Sequence, residues 1–274
     1  MPRQGLRRSH LTIIGALIVC VMLFPVYWTV TSSLETNTQI FATHPYLITP
    51  QFDWQTYRIA LQTQLPHLVS SLIIATGTTV LCVLVATPAA YAISHLQFKK
   101  VTWLIVALLI SQMIPSVSLD NALFIIFNKI GLLNNYFGLM LTDCTFSIPF
   151  NILILRAFMQ SIPKDILEAA YVDGAGDLRT FIQIILPVSK SVLITAGLFA
   201  FLFAWGDFLF SVTMITQNSF QPITVSIYGY ISQYSQSWNQ MMASAVLASI
   251  PAAVLLILSQ RYITAGMTSG SVKG

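Results

Sequence analysis

Six long apolar stretches dominate the sequence, and charged residues lie mostly between them. A helix needs roughly 20 apolar residues to cross about 30 Å of hydrocarbon. Stretches of about this length occur at residues 11–30, 68–94, 101–119, 137–159, 191–213 and 240–260. They predict an all-α polytopic membrane protein with six transmembrane helices. A shorter run at 122–130 follows Asp120, and we interpret it as an external loop or half-helix.

Composition indicates that lipid is the main solvent of this chain. The 274 residues are 55% hydrophobic and only 8% charged, whereas soluble domains average about 25% charged. The three cysteines, Cys20, Cys82 and Cys144, lie in apolar stretches without the spacing of metal ligands. We interpret them as small buried hydrophobic residues. The four histidines lie at or beyond the ends of the stretches and predict no metal site.

The basic residues predict an orientation in the membrane. With the N-terminus inside the cell, 11 of the 13 Lys and Arg are cytoplasmic, and only Arg58 and Lys129 are external. Lys and Arg concentrate in cytoplasmic loops, so both termini are predicted to be cytoplasmic. Arg3, Arg7 and Arg8 precede a first stretch that is longer than a signal-peptide core and lacks a cleavage pattern. We therefore predict an uncleaved anchor in the cytoplasmic (inner) membrane.

The connection between the fourth and fifth stretches has the clearest local pattern. Residues 161–174 predict a short helix with Ser161 as N-cap, Pro163 in the first turn and Asp165 at the positive end of the helix dipole. Gly174 is predicted to take the left-handed position that ends the helix. From the residues alone, an amphipathic helix pair on the membrane surface is the alternative to a contact with another protein.

A second helix is predicted at 177–186, ending before Pro187. The two segments together resemble the EAA signature of permeases of ATP-binding-cassette (ABC) importers. The matched positions, at the spacing of that family, are Glu168, Ala169, Ala170, Gly174, Ile184, Leu186 and Pro187.

Other motifs resemble the carbohydrate branch of this family. They lie at 173–175, 205–208, 242–251, 260–261 and 270–274. The resemblance covers nearly the whole chain and is greatest to the smaller permease of maltose-type importers. One departure is Asp207, where many relatives carry Asn followed by Glu or a similar polar pair.

The resemblance implies the type I ABC importer transmembrane fold in three regions. Residues 1–67 are expected to form an N-terminal anchor helix plus an external loop. Residues 68–262 are expected to form the permease core, with a coupling helix at 163–176. Residues 263–274 are expected to form a cytoplasmic tail that resembles tails reaching into the ATPase dimer, a frayed terminus being the alternative.

The resemblance also implies a non-catalytic subunit that works with an ATPase. In this family the coupling helix enters a cleft on the ATP-hydrolysing subunit. The residues expected to form this coupling site are Glu168, Ala169, Ala170, Asp173, Gly174, Leu186 and Pro187.

The expected partners are a second homologous permease in a heterodimer, a dimer of ATP-binding subunits, an external sugar-binding protein and membrane lipid, without nucleic acid. The chain has no Gly-x-x-x-x-Gly-Lys-Ser/Thr loop. ATP and Mg are therefore expected in the partner ATPase, with no cofactor in this chain.

Polar residues within the stretches are candidates for the substrate pathway. They are Gln112, Asn151, Trp205 and Asp207, where an acid beside an aromatic ring suits sugar hydroxyls and a sugar face. Polar side chains in membrane helices also join helices by hydrogen bonds, and for Asp207 we favour such a structural role.

Three alternatives to a sugar importer follow from the sequence. An importer of the same mechanism for a phosphodiester, peptide or amino acid is the nearest. A secondary transporter or channel needs an ion relay, but only two acids, Asp143 and Asp207, lie within the stretches. An intramembrane enzyme needs a convergent set of His, Asp, Ser or Cys residues, and no such pattern is apparent.

Overall fold

The computed structural model describes residues 3–95, 100–233 and 237–268, and the regular elements in these ranges are all helices. They pack as two units, one from residues 1–65 and 227–250 and the other from residues 66–226 and 251–274. The helices are α1 Arg3–Leu34, α2 Asn37–Ile40, α3 Trp54–His95, α4 Val101–Met113, α5 Ser116–Lys129, α6 Tyr136–Met159, α7 Lys164–Val172, α8 Asp177–Thr180, α9 Leu186–Val188, α10 Lys190–Gly206, α11 Leu209–Met214, α12 Ile223–Gln233 and α13 Trp238–Thr268, with a π-helical turn at Phe181–Ile185 and a 3₁₀ turn at Asn218–Phe220.

Four helices are long and apolar enough to cross a membrane unbroken, at Leu11–Leu34, Trp54–His95, Tyr136–Met159 and Trp238–Tyr262. Two bent helix pairs bring the number of spans to as many as six. Helices are thus confirmed at all six predicted stretches, but the third and fifth stretches are not single straight helices.

The third stretch breaks at a proline. Helix α4 ends at Met113, and α5 leaves it at 95°. Pro115 has no N–H to continue the helix, and it restricts the preceding residue to extended backbone. Ile114 accordingly has φ −69° and ψ 124°. A continuous helix over 101–119 is therefore wrong, and the run expected at 122–130 is the second half of α5.

The fifth stretch breaks at Asp207. Helix α10 ends at Gly206, and Asp207 is extended with φ −64° and ψ 130°. Glycine is a weak helix former, and a short acidic side chain favours the start of a new helix over the interior of an old one. Asp207 therefore lies between α10 and α11, and not inside a helix over 191–213 as predicted.

Small residues set the packing in the centre of the second unit. Ala86 and Ala90 of α3 and Ala196 and Ala200 of α10 are at most 1% exposed and belong to one apolar cluster. Each pair is spaced by four residues, which places both members on the same helix face. Small side chains let membrane helices approach closely, where van der Waals packing stabilises them.

The cysteine interpretation is correct for two of the three residues. Cys82 and Cys144 are buried, but Cys20 is exposed. Cys20 lies on α1, where residues 11–27 are all exposed. At the other end, α13 continues to Thr268, so the beginning of the expected tail is helical, and residues 269–274 lie outside the described ranges.

Candidate functional site

Helix α7 is the short helix predicted between the fourth and fifth stretches. It begins at Lys164 after Pro163, and Asp165 lies in its first turn as predicted. Ser161 is not its N-cap, because the Ser161 hydroxyl donates a 2.7 Å hydrogen bond back to the carbonyl of Phe158 at the end of α6. The rigid φ of proline replaces a side-chain cap at this helix start.

Gly174 ends α7 in the predicted left-handed conformation, with φ +81°. Its N–H donates to the carbonyl of Tyr171 at 3.0 Å, and the N–H of Ala175 donates to the carbonyl of Ala170 at 2.9 Å. These two bonds form a Schellman motif, which satisfies carbonyls that a helix end leaves without partners. The chain therefore leaves α7 through a hydrogen-bonded left-handed turn at Gly174.

The two faces of α7 have different environments. Leu167 and Ala170 are buried against the protein, three residues apart on one face. Glu168, Ala169 and Asp173 are exposed. Among the described residues, the structure records no hydrogen bond or ion pair for the Glu168 carboxylate. The helix is therefore held by one face and presents the other to solvent.

Two apolar side chains on α7 and α8 are also exposed. Val172 at the end of α7 is 87% exposed, and Leu178 of α8 is 72% exposed. Exposed apolar groups next to a polar rim mark surfaces that bind other proteins. The α7 surface, defined as the exposed side chains of Glu168, Ala169, Val172, Asp173 and Leu178, has this character.

The segment after α7 contains Leu186 and Pro187. Pro187 lacks an N–H, so the preceding turn widens, and the N–H of Leu186 bonds to the carbonyl of Phe181 in π-helical geometry. The axis then bends by 79° between Asp177–Val188 and Lys190–Gly206. Leu186 and Pro187 thus lie where the chain turns into α10.

A contact that the sequence did not reveal fixes α7 to this segment and to α3. The Tyr171 hydroxyl donates a 2.8 Å hydrogen bond to Asp177 Oδ1. Tyr91 of α3 donates a 3.5 Å hydrogen bond to the backbone carbonyl of Asp177, and its ring lies 5.1 Å from the ring of Phe181. No local pattern links these residues, since they come from four separate elements: α3, α7, α8 and the π-helical turn.

Gln112 and Asn151, two of the predicted pathway residues, line the same cavity of about 450 Å³. Four phenylalanines complete much of its wall. Phe146 stacks on Phe203 at 5.3 Å, and Phe150 meets Phe199 edge-on at 5.8 Å. These phenylalanines were missed, although their spacing of four residues on both α6 and α10 is a visible signal for one aromatic face per helix.

The two polar side chains of this cavity are fixed by hydrogen bonds. Gln112 Nε2 donates to the carbonyl of Phe146 at 3.2 Å. Asn151 Nδ2 donates to the carbonyl of Ser147 at 2.9 Å and to Cys82 Sγ at 3.1 Å. The amides therefore hold α4, α6 and α3 together beside the aromatic wall.

Asp207 lies at a neighbouring cavity of about 410 Å³ that shares Phe146 and Phe203 with the first. Its carboxylate accepts from Ser211 N and Ser211 Oγ, both at 2.8 Å, and from Phe210 N at 3.3 Å. It thus satisfies two N–H groups in the first turn of α11 and serves as a side-chain cap from the position before the N-cap residue, Phe208.

Trp205 is separate from these cavities. It is buried, stacks on Phe201 at 5.5 Å and lines neither cavity. The four predicted pathway residues therefore do not form one site. Within the described ranges, no three His, Cys, Asp or Glu side chains are grouped to hold a metal ion.

Comparison with known proteins identifies the family of this architecture. Residues 86–269 match the model of the family described as binding-protein-dependent transport system inner membrane component. The chain is 34% identical to the trehalose transport system permease protein SugB of Mycobacterium tuberculosis, covering 99% of this chain and 100% of that one. It is 31% identical to the trehalose/maltose transport system permease protein MalG of Thermococcus litoralis, covering 99% of each.

Two solved structures share the fold. A chain of a bacterial ABC transporter that imports the acidic polysaccharide alginate has a TM-score of 0.80 at 18% identity, covering 96% of this chain and 98% of that one. A chain of the MetNI methionine ABC transporter has a TM-score of 0.59 at 15% identity, covering 78% and 99%. The expected fold of ABC importer transmembrane subunits is thus confirmed. The chain belongs to the family of binding-protein-dependent transport system inner membrane components.

Proposed function

We propose that this chain is the permease subunit of an ATP-driven importer for a carbohydrate and forms half of the pathway across the cytoplasmic membrane. Full-length relatives named as trehalose and trehalose/maltose permeases support the sugar assignment. A third, the galactooligosaccharides permease GanQ of Bacillus subtilis, is 30% identical over 99% of this chain and 98% of its own. A phosphodiester, peptide or amino acid is the competing solute class.

The proposed topology places both termini and the α7 surface in the cytoplasm. It rests on the 11 to 2 division of Lys and Arg, since reversing the chain would put most of them outside. The chain itself is proposed to be non-catalytic. ATP and Mg are assigned to a partner ATPase because no phosphate-binding Gly-Lys-Ser/Thr loop is present.

The α7 surface is proposed as the contact with that ATPase, and its geometry is the observation that carries the assignment. Glu168, Ala169 and Asp173 face solvent beside the exposed Val172, on a helix closed rigidly at Gly174. A short helix that is held at its C-terminal end moves as a rigid body when the ATPase displaces it. Ala170 is proposed to pack α7 against the rest of the permease and not to contact the ATPase, because its side chain is buried.

Leu186 and Pro187 are proposed to pass movement of α7 into the membrane. They lie at the 79° bend that leads into α10. Asp177 is hydrogen-bonded both to Tyr171 and to Tyr91, so a displacement of α7 reaches α3 as well as α10.

The complete importer is proposed to contain a second, homologous permease, a pair of ATP-binding subunits and an external sugar-binding protein. The alginate transporter is known in complex with an alginate-bound periplasmic protein, and a chain of that complex matches this one with a TM-score of 0.66 at 13% identity, over 93% of this chain and 94% of its own. In this proposal the chain supplies one wall of the pathway, and the second permease of the heterodimer supplies the other.

The aromatic cavity is proposed as part of that wall. Pockets that bind small molecules combine apolar and aromatic walls with a few placed polar groups, and Gln112 and Asn151 supply amides beside four phenylalanines. Asp207 and Trp205 are proposed to support this wall, Asp207 by capping α11 and Trp205 by packing on Phe201.

Uptake tests the proposed solute class. Labelled sugars are offered to cells that lack the gene and to cells complemented with the wild type or with Gly174→Val, with membrane levels of the protein measured in parallel. One sugar entering only with the wild type supports both the solute and the role of α7. Unchanged uptake of all sugars after deletion rejects the carbohydrate assignment.

Cross-linking tests the coupling surface independently of the solute. In a Cys20→Ser background, Ala169→Cys and Ala170→Cys place thiols at neighbouring positions, of which only residue 169 is exposed. A short bifunctional reagent is expected to join residue 169, and not residue 170, to the ATPase. Equal cross-linking of both, or of neither, contradicts the proposed contact.

A further inference from the structure

A third cavity lies between α3, α10 and α13 of the second unit, apart from the aromatic wall. Its volume is about 590 Å³. We call it the α3–α10 groove. Most of its lining is aliphatic, and representative residues are Val80, Val83, Leu84, Leu193, Ile194 and Leu255. Sugar hydroxyls would lose their hydrogen bonds to water on such a surface, so the groove is not suited to the transported solute proposed above.

One end of the groove carries a cation. Lys190, the first residue of α10, lines the groove and is exposed. Within the described ranges, the structure records no ion pair for its ammonium group. The hydroxyl-bearing Ser259 of α13 also lines the groove. The positive end of the α10 dipole is located at Lys190 and favours an anion there.

The length of the groove corresponds to one leaflet of a bilayer. Along α10 its lining runs from Lys190 to Phe201. At 1.5 Å per residue this is roughly 16 Å, about half of the roughly 30 Å hydrocarbon core. A ligand with its head at Lys190 and a single tail in the groove would therefore reach the bilayer midplane.

We propose that the α3–α10 groove binds an anionic phospholipid of the cytoplasmic leaflet. One acyl chain occupies the α3–α10 groove, and the phosphate lies against Lys190 at the start of α10. Basic sites between transmembrane helices on the cytoplasmic side suit anionic headgroups. The lipid would be held against α10, next to the bend that joins this helix to the α7 segment.

Native mass spectrometry of the importer, purified with its partner subunits, tests this proposal. Dioleoyl phosphatidylglycerol and the zwitterionic dioleoyl phosphatidylcholine have the same tails and are added separately. The wild type is expected to retain phosphatidylglycerol preferentially. Lys190→Gln is expected to lower its retention about fivefold, the equivalent of about 1 kcal/mol for one Lys at a membrane surface, whereas Lys190→Arg keeps it.

Two further variants separate charge from shape. Lys129→Gln removes an exposed cation at the end of α5, away from the groove, and is expected to change nothing. Val80→Trp fills the groove from an exposed position on α3 and is expected to reduce retention of both lipids. Equal retention of the two lipids by the wild type, or loss with Lys129→Gln equal to that with Lys190→Gln, overturns the proposal.

The competing occupant is a helix of the second permease. In that case the isolated chain binds phosphatidylglycerol at Lys190 but the complete importer does not, and the proposal is overturned. The readout is lipid retention and requires no transported solute. Its outcome is therefore independent of the carbohydrate assignment.

Discussion

The Tyr171 hydroxyl donates a 2.8 Å hydrogen bond to Oδ1 of Asp177, which joins the last turn of α7 to the first residue of α8. The bond spans the Gly174 turn and links the two helices through their side chains. The carboxylate acceptor raises the pKa of Tyr171 above its usual range. The phenol therefore remains a donor throughout the physiological pH range.

Tyr171→Phe is expected to loosen α7 while leaving the membrane helices folded. The variant loses one hydrogen bond, which contributes about 0.5–1.5 kcal/mol, and keeps the ring. We expect ATP hydrolysis to continue with less solute imported per ATP. Parallel measurement of hydrolysis and uptake in proteoliposomes checks this expectation.

The effect of Tyr171→Phe is expected to be the same at pH 6 and pH 8. A raised folded pKa means that the stabilisation is fully present below the unfolded value of about 10, and is lost only as the pH rises through the folded value. Tyr46→Phe removes an exposed phenol that lies outside α7 and α8 and serves as the control. A defect that appears at only one of these pH values would contradict the proposed bond.

Substitutions at Gly174 are expected to follow backbone strain and not side-chain size. No heavy atom lies within 4 Å of the position of a Cβ at residue 174, but its φ is +81°. Asn tolerates this conformation best among the other residues, whereas Ala costs roughly 1–2 kcal/mol and β-branched Val more. Uptake per inserted molecule is expected to fall in the order Gly, Asn, Ala, Val.

Gly176→Ala provides the matched control for this series. Residue 176 also has open space around its Cβ position, but its φ is −78°, which any residue adopts. Uptake with Gly176→Ala is expected to equal that of the wild type. If Gly174→Ala and Gly176→Ala reduce uptake equally, the left-handed conformation at residue 174 is not required for the function of α7.

The sequence predicted helices at all six apolar stretches because apolar run length is a local property. It did not predict the breaks at Pro115 and Asp207. An apolar run with one proline or one acid is compatible with a kinked helix, and the choice between a kink and a 95° turn depends on packing around the break. The cysteine error had a similar cause, since burial of Cys20 depends on what α1 packs against.

At the candidate site too, features set by local sequence were predicted, and features set by tertiary contacts were not. The left-handed Gly174 was predictable because turn chemistry is local. The hydrogen bonds of Tyr91 and Tyr171 to Asp177 were not, because they join residues up to 86 positions apart. The phenylalanine pairs of α6 and α10 lie between these cases: each helix face was visible in the sequence, but not their mutual contact.

Gly138 is expected to tolerate no side chain. A Cβ at residue 138, in the first turn of α6, would overlap the backbone carbonyl oxygen of Leu132. Backbone cannot move aside as a flexible side chain can, and forced overlap in a packed region typically costs about 1–3 kcal/mol. Gly138→Ala is expected to reduce the amount of inserted protein and its melting temperature in detergent.

Gly15→Ala is the contrasting substitution. Residue 15 lies in α1 with no heavy atom within 4 Å of its Cβ position. Alanine gains roughly 1 kcal/mol of helix propensity over glycine, so the melting temperature is expected to stay the same or to rise. A fall equal to that of Gly138→Ala would indicate a general sensitivity to alanine instead of a specific overlap.

Asp207 provides a choice between a structural and a substrate-binding carboxylate. As a cap of α11 it needs one acceptor oxygen at the position of Oδ2, which receives both 2.8 Å bonds from Ser211, and not charge. Asn is about as good a cap as Asp, whereas Ala costs about 0.5–2 kcal/mol. Asp207→Asn is therefore expected to preserve both protein level and uptake, and Asp207→Ala to reduce both together.

Asp53→Ala calibrates this comparison. The Asp53 carboxylate caps the start of α3 by accepting from Gln55 N at 3.1 Å and Thr56 N at 3.4 Å, and it lines neither cavity beside the aromatic wall. Asp53→Ala should lower the protein level about as much as Asp207→Ala. In both variants total uptake should fall only in proportion to the protein level, so that uptake per inserted molecule is unchanged. If Asp207→Asn inserts normally yet loses uptake, the negative charge itself is required. The carboxylate would then act on the solute, and the pathway would extend from the aromatic wall into the cavity at Asp207.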